Sequence, residues 1–352
     1  MGALSPPAAR VGQTAPVPTT EPLRIGVLGA ARIAPRALVA PAHETGARLV
    51  AVAARDRSRA EAFAAEHGFE RVVGSYEEVL ADPEVELVYV PLANGLHGPW
   101  NLRAVRAGKH VLSEKPFASD AVEAEEVVAA ARGAGVRVVE GFHYAHHPLV
   151  RRVLELVGSG EIGALRHVEA HVDIPAPADD DPRWSLELAG GAFMDLGCYA
   201  LHVVRLLAAA AGGAPRVVAA TARERDGHPG VDERLAVDLE LPGGATALAS
   251  CDMAAAGVRM SLRVEGTAGE LSAPDFVLPH GDDRLVVRSA REERVERLGT
   301  RSTFTYQLEA VAAHVRDGAP IVTDADDAVA QARLVDACYA AAGLPPRPRT
   351  AL

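Results

Sequence analysis

A lysine stands between a strand and a proline. In "HVLSEKP" a run of strand character ends at Ser113, and Glu114, Lys115 and Pro116 follow where the chain turns. A lysine in a buried corner is costly unless its charge is used. Pro116 fixes the backbone and restricts Glu114 and Lys115. Later, "GGAFMDLGCY" places Asp195 and Tyr199 four apart, so they share one helical face. A free phenol titrates near about 10. A cation beside it, such as Lys115, would lower that value and ease proton exchange with a substrate oxygen. On spacing alone Tyr199 reads as a half-buried helix aromatic.

Other stretches suggest ligands. After the run 23–28, the turn Gly29-Ala30-Ala31-Arg32-Ile33-Ala34 stands where a dinucleotide fold wants G-x-G-x-x-G. Only the first glycine is present. Alanine is an accepted variant at the third place; Ala31 at the second slightly crowds a pyrophosphate. The helix start could still hold phosphate, so Gly29, Ala31, Arg32 and Ile33 are cofactor candidates. The next strand ends in Ala54-Arg55-Asp56-Arg57-Ser58-Arg59. Arg55, with Ser58 and Arg59 one turn on, suits a 2′-phosphate. Asp56 would suit the ribose hydroxyl of NAD instead. Solvated helix-start residues are the plain alternative. "GFHYAHHP" offers His143, His146 and His147, but adjacent side chains rarely face one point, and zinc needs three or four convergent ligands. No metal is expected.

The elements must carry these residues to one place. From Leu23, strand and helix alternate four times, through "RLVAVAARDRSRAEAFAAEHG", "ELVYVPLANGLH" and "AVEAEEVVAAARGAGVRVVE". That alternation means a parallel sheet with helices on both faces. A dinucleotide-binding domain is expected over residues 23–144. Strand-like stretches dominate afterwards, from "LRHVEAHVDI" to "RMSLRVEG", with helices near 149–156, 197–210, 304–316 and 324–341. They imply an α+β domain over 145–352 with a mostly antiparallel open sheet. The fold class is α/β. Residues 1–22, with five prolines, read as a mobile tail. The net charge of -11 argues against nucleic acid and anionic membrane as partners. No apolar run is expected to reach the 18 or more residues of a membrane span, and no signal pattern opens the chain. Three widely spaced cysteines fit a reducing cytoplasm.

Taken together, "GVLGAARIAP", "AVAARDRSRAEAFAAEHG", "PLANGLH", "AGKHVLSEKP", "GGAFMDLGCYALH" and "EGTAGEL" resemble the Gfo/Idh/MocA family, from about residue 23 to 346. Arg55 and Tyr199 place the chain nearest the NADP-linked sugar dehydrogenases and dimeric dihydrodiol dehydrogenases. The resemblance implies that Lys115 points into an interdomain crevice beside the nicotinamide and the reacting oxygen. It implies that Tyr199 exchanges the proton and that Asp195 contacts substrate or orients the acid/base. Pro91, Asn94, His97 and Glu114 would border the cofactor. His143, Tyr144 and His146 would line the substrate side, with Arg183, Trp184 and Asp173 at its rim. Relatives often read G-F-M-Y-R-x-H-P where this chain has His143 and Ala145, which leaves the substrate open. The implied activity is NADP-dependent hydride transfer at a carbinol or carbonyl carbon of a sugar-like small molecule, NAD being less favoured. A trans-dihydrodiol dehydrogenase and a non-catalytic NADP-binding regulator are the alternatives. A homodimer or homotetramer is implied.

Overall fold

The computed structural model describes residues 21–352 apart from 291. The expected tail therefore lies outside the described residues except for Glu21 and Pro22.

Five strands of near-continuous apolar sequence build the first sheet, with a short sixth: β1 (Arg24–Leu28), β2 (Arg48–Ala53), β3 (Arg71–Val72), β4 (Leu87–Val90), β5 (His110–Ser113) and β6 (Val138–Glu140). Their order is β3-β2-β1-β4-β5-β6, all parallel. Such strands are buried on both faces, so they carry no polar alternation. The helices between them are α1 (Ala40–Thr45), α2 (Arg57–His67), α3 (Tyr76–Ala81), α4 (Asn94–Arg106) and α5 (Ala121–Ala134). Side chains of Asp56, Ser75 and Asp120 cap the starts of α2, α3 and α5. The strand order reverses beside β1, and α/β sheets bind ligands outside the carboxyl ends of the strands at that point.

A 3₁₀ turn (His143–His146) leads to α6 (Pro148–Gly158). The second sheet then follows, with β7 (Leu165–Asp173), α7 (Cys198–Ala210), β8 (Arg216–Arg225), β9 (His228–Glu240), β10 (Thr246–Asp252), β11 (Leu262–Gly266), β12 (Gly269–Ala273), β13 (Arg284–Ser289) and β14 (Glu293–Arg297). Its order is β14-β13-β12-β11-β7-β10-β9-β8. Only β7 and β10 pair in parallel; the rest is antiparallel, as expected. The pattern in β10 alternates buried and accessible residues along its length, so one face holds the core under α6 and α7. Strands β12 to β14 were not anticipated; β13 and β14 sit at an edge and are rich in charge.

The last two helices join the sheets. Helix α8 (Thr303–Asp317) buries Phe304, Leu308 and Val311 against β1, α1 and Tyr89. Helix α9 (Ala325–Ala341) places Ala328 in the opposite core of the first sheet and Val335, Cys338 and Tyr339 in the core of the second. One expectation needs correcting. Leu186–Ala210 is long and apolar enough to cross a membrane, but 83% of its apolar 18-residue window is buried inside the protein. It is a core helix with the turns that precede it.

A buried polar knot sets up the start of that segment. The carboxylate of Asp232 on β9 accepts from Phe193 N at 2.6 Å and from the Tyr339 hydroxyl at 2.9 Å. Arg347 donates to the carbonyls of Gly190 and Gly230 and stacks over Tyr339 at 4.0 Å. Burial raises the Asp232 pKa, against the pull of Arg347. Gly191 has φ 134°, and a Cβ there would fall 2.1 Å from the Asp232 carboxylate. Asp232→Ala strips the partner from two buried donors, Phe193 N and the Tyr339 hydroxyl, and leaves the Arg347 charge without its carboxylate at 3.9 Å, so it should cost about 3–5 kcal/mol. A lower denaturation midpoint at unchanged m-value checks this.

Candidate active site

A cleft of about 1600 Å³ opens between the sheets at the carboxyl ends of the parallel strands. That is room for a dinucleotide and a small second ligand. Of the residues singled out above, Gly29, Ala31, Arg32, Ile33, Arg55, Asp56, Arg59, Pro91, Asn94, His97, Glu114, Lys115, His143, Arg183, Asp195 and Tyr199 line it.

Lys115 is at its centre. Its Nζ lies 2.9 Å from both the carbonyl oxygen and Oδ1 of Asp195. The ammonium also stands 5.4 Å from the centroid of the Tyr199 ring, over its face. Burial works against the charge on Lys115, but Asp195, Tyr199, Cys198 and Glu114 outweigh it and hold the pKa above the usual lysine value. Burial likewise opposes the Asp195 carboxylate; Lys115 and Arg183 overcome it, and the pKa stays low. Arg183 grips Asp181 through two hydrogen bonds and reaches Asp195 Oδ2 at 3.4 Å.

The strand end is clamped from beneath. Asn101 on α4 donates to Ser113 Oγ at 2.9 Å and to the Phe117 carbonyl at 3.0 Å. Phe117 N donates to Glu140 Oε1 at 2.9 Å. Burial, helped by the charge of Asp327, pushes the Glu140 pKa up to about 8. His97 faces the carbonyls of Pro116 at 2.7 Å and Leu92 at 3.0 Å. Burial lowers its pKa to about 4, so the ring is neutral and can donate to only one of them. Glu114 accepts from the Tyr89 hydroxyl at 2.7 Å. The Lys115–Pro116 bond is cis.

The Asp195 end rides on a π-helical turn, Phe193–Gly197, ahead of α7. Tyr199 follows on α7, and its hydroxyl lies 3.4 Å from His143 Nε2. Lys115 pulls its pKa down as expected, but packing reverses the net direction. Burial raises the phenol above its usual value, and the pull of Lys115 is the smaller effect.

At the other end, Gly29 has φ 105°, a conformation L side chains rarely adopt, and a Cβ would come 3.1 Å from Leu92. Arg59 reaches the Ala30 carbonyl at 3.1 Å. Arg55 is exposed at the cleft wall and forms no ion pair with the described residues. Asp56 is committed elsewhere. Its Oδ1 accepts from Ser58 N, Ser58 Oγ and Arg59 N, which holds its pKa low.

Several residues expected at the site lie off the cleft. Tyr144 is fully buried, bonded at 2.6 Å to His202 Nδ1, whose Nε2 meets Asp327 at 3.0 Å. His146 is buried against Thr323. Both follow a strand end, but the 3₁₀ turn sends only His143 outward. Trp184 packs inside, under Arg225. Ser58 is spent on the α2 cap, and Asp173 pairs with Arg259 at 2.7 Å. His143, His146 and His147 point to three different partners, Thr303, Thr323 and the Gly299 carbonyl. The cleft also takes residues not singled out, among them Tyr76, Leu92, Ile174, Met260, Leu278 and Phe304. Phe304 comes from a helix far along the chain, where no local signal marks it.

The ion pair yields a pH test. Without the Asp195 carboxylate, burial acts on Lys115 with less opposition and its pKa falls. Asp195→Asn should therefore lose kcat/KM as pH rises, below the ordinary lysine range of about 10.4. The native protein should show no such limb there. A pH profile of kcat/KM on both proteins checks this.

Residues 23–142 match the family described as "Oxidoreductase family, NAD-binding Rossmann fold", and residues 150–272 match the "GFO/IDH/MocA C-terminal domain". A D-xylose 1-dehydrogenase (NADP(+)) from Haloferax volcanii is 36% identical over 323 residues, 91% of this chain and 97% of that one. A trans-1,2-dihydrobenzene-1,2-diol dehydrogenase from Xenopus laevis is 34% identical over 65% of this chain and 68% of its own. The crystal structure of a 3-ketoreductase from Actinomadura kijaniata, in complex with NADP and TDP-benzene, superposes with a TM-score of 0.83 at 30% identity, covering 91% of this chain and 98% of that one. The chain belongs to the Gfo/Idh/MocA family of oxidoreductases.

Proposed function

We propose that this chain is an NADP-dependent oxidoreductase acting at a carbinol or carbonyl carbon of a sugar-like, polyhydroxylated substrate. The Lys115–Asp195 ion pair beside Tyr199, at the carboxyl end of β5, carries the reading. The Lys115 ammonium is kept charged by Asp195, and it stabilises the alkoxide-like oxygen that develops at the reacting carbon. Tyr199 exchanges the proton with that oxygen, and Asp195 with Arg183 orients the hydroxyls beside it. The cofactor fits. The Gly29 turn leaves space where a side chain would intrude, and Arg55 supplies an unspent cation for a 2′-phosphate. When bound, the nicotinamide supplies the hydride acceptor or donor. The NADP-linked relatives support the same cofactor.

A cyclic trans-diol is the second reading. An apolar wall of Val172, Ile174, Leu196, Met260, Val277 and Leu278 borders the cleft, and it suits a carbocycle better than a free sugar. A regulator that binds NADP without chemistry would have no use for Lys115, Asp195 and Tyr199 together. The open face of the second sheet, with Val218 exposed on its edge strand, supports a homodimer or homotetramer. Three buried free thiols, Cys198, Cys251 and Cys338, suit a reducing cytoplasm.

A screen of NADPH and NADH with keto-sugars, and of NADP and NAD with aldoses and cyclic diols, tests the function. No turnover in any combination would count against it. Arg55→Ala should raise KM for NADPH about 10- to 100-fold, the worth of a charged hydrogen bond, and leave NADH nearly unchanged. Equal losses would make Arg55 structural. Lys115→Ala and Tyr199→Phe should each lower kcat about 10²–10⁴-fold while NADPH still binds. Fluorescence titration of NADPH with steady-state kinetics separates the two effects.

A further inference from the structure

Among the described residues, the Tyr199 hydroxyl has one hydrogen-bond partner, and it is not Lys115. That ammonium is committed to Asp195 and meets only the ring face. The partner is His143 Nε2. His143 is 3% exposed yet borders the cleft. Its Nδ1 lies 2.8 Å from Thr303 Oγ1, and the Phe304 ring packs on it at 3.9 Å between centroids. The imidazole is held at both nitrogens and on a face.

The groups around His143 are cations or potential cations. Arg36 comes from the turn before α1, Lys115 from the end of β5, His146 from its own turn and His280 from the segment before β13. Burial first, then these neighbours, keep the ring neutral in the resting protein. A neutral imidazole has one N–H and one lone pair. Both partners are hydroxyls and could donate or accept; in the tautomer with Nδ1–H donating to Thr303, the Nε2 lone pair accepts from Tyr199.

We propose that His143 is the proton relay behind Tyr199, so that the proton path runs from the substrate hydroxyl through Tyr199 Oη to His143 Nε2. This rests on the oxidoreductase reading above. In the oxidative direction the substrate O–H bond breaks and its proton joins Tyr199 Oη, while the phenolic proton passes to Nε2. The carbinol C–H bond breaks with its electron pair, which leaves as hydride to the oxidised nicotinamide, and the C=O bond forms. His143 holds the net proton as imidazolium. The surrounding cations then favour its release. Reduction runs the same path backwards. Burial disfavours the free phenolate and the imidazolium alike, so neither accumulates and the proton passes on to solvent in the cleft. His143 acts through Tyr199; it is a positioning residue, not the direct substrate ligand implied by sequence.

Two measurements on the full chain decide it. The first needs no turnover. In ¹⁵N-histidine NMR, with His143 assigned by its loss in His143→Gln, Nε2 should be unprotonated and its shift should move in Tyr199→Phe. A protonated Nε2, or no response to Tyr199→Phe, overturns the relay. The second uses the substrate found by the screen. His143→Gln should lower kcat about tenfold or more, with KM for NADPH within about twofold. His143→Ala should regain activity with added imidazole, and its pH profile should shift when imidazole is replaced by a weaker base. A kcat for His143→Gln within about twofold of native at every pH overturns it. A native protein inactive in the whole screen sinks the oxidoreductase reading instead, and the NMR result still decides the hydrogen bond.

Discussion

The site depends on one buried ion pair. Lys115 comes from the parallel sheet and Asp195 from the turn before α7, and their contact at 2.9 Å joins the two halves of the cleft. Taking both charges out of water costs several kcal/mol, and attraction repays it only when the geometry is good. Much of the nearby architecture secures that geometry. On the lysine side, Asn101, His97 and Glu140 hold the backbone from Ser113 to Phe117. On the aspartate side, Asp232 holds Phe193, and Arg347 holds the carbonyl of Gly190. The side chains at the centre of the cleft are few; the polar groups that hold them in place are more numerous and deeper.

The cleft is graded along its length. Arginines 32, 55 and 59 gather at the Gly29 end, and apolar side chains from β7 and the 260–278 segment line the other. The ion pair stands between. The arginine end favours the charged part of a ligand, and the apolar end favours a part without charge. Both electrostatic effects, on Lys115 and on Asp195, are strong because that middle region is buried.

The strands and helices of the first sheet were legible because apolar runs and caps are local signals: Asp56 and Asp120 cap the helices that the pattern predicts. The E-K-P turn and the Asp195–Tyr199 spacing were legible too, and both reach the cleft. What failed was orientation. Tyr144 and His146 occupy the right turn, but a 3₁₀ turn alternates directions in a way no short motif discloses, and each finds a buried partner more than fifty residues away, His202 and Thr323. The phenol of Tyr199 failed differently. A cation nearby suggests an acidified tyrosine, but the cost of burial depends on packing from Phe142 and Tyr144, which spacing does not reveal. Partners such as Thr303 and Phe304 were invisible because they arrive from the far end of the chain.

Cofactor choice follows from a helix cap. An acidic residue at the end of the second strand has two uses, to bind a ribose hydroxyl or to cap the helix that begins there. Both need the same carboxylate. Asp56 takes the second: three donors from Ser58 and Arg59 converge on its Oδ1. Those bonds are local and charge-assisted, and leaving the N–H groups unmet would cost the helix start about 0.5–2 kcal/mol. Turning Oδ1 toward a ribose would forfeit them, while Oδ2 has no hydrogen-bond partner among the described residues. Beside Asp56, the other charged groups that border the cleft at the strand end are guanidinium groups. Arg59 is tethered to the Ala30 carbonyl, beside the Gly29 turn, and Arg55 has no counter-charge among the described residues. A cation without a partner is stabilised by a ligand that brings one, and a 2′-phosphate does so where a hydroxyl does not. A tied Oδ1 on Asp56 beside an unpaired Arg55 gives the strand end an electrostatic fit to a ligand that carries a 2′-phosphate.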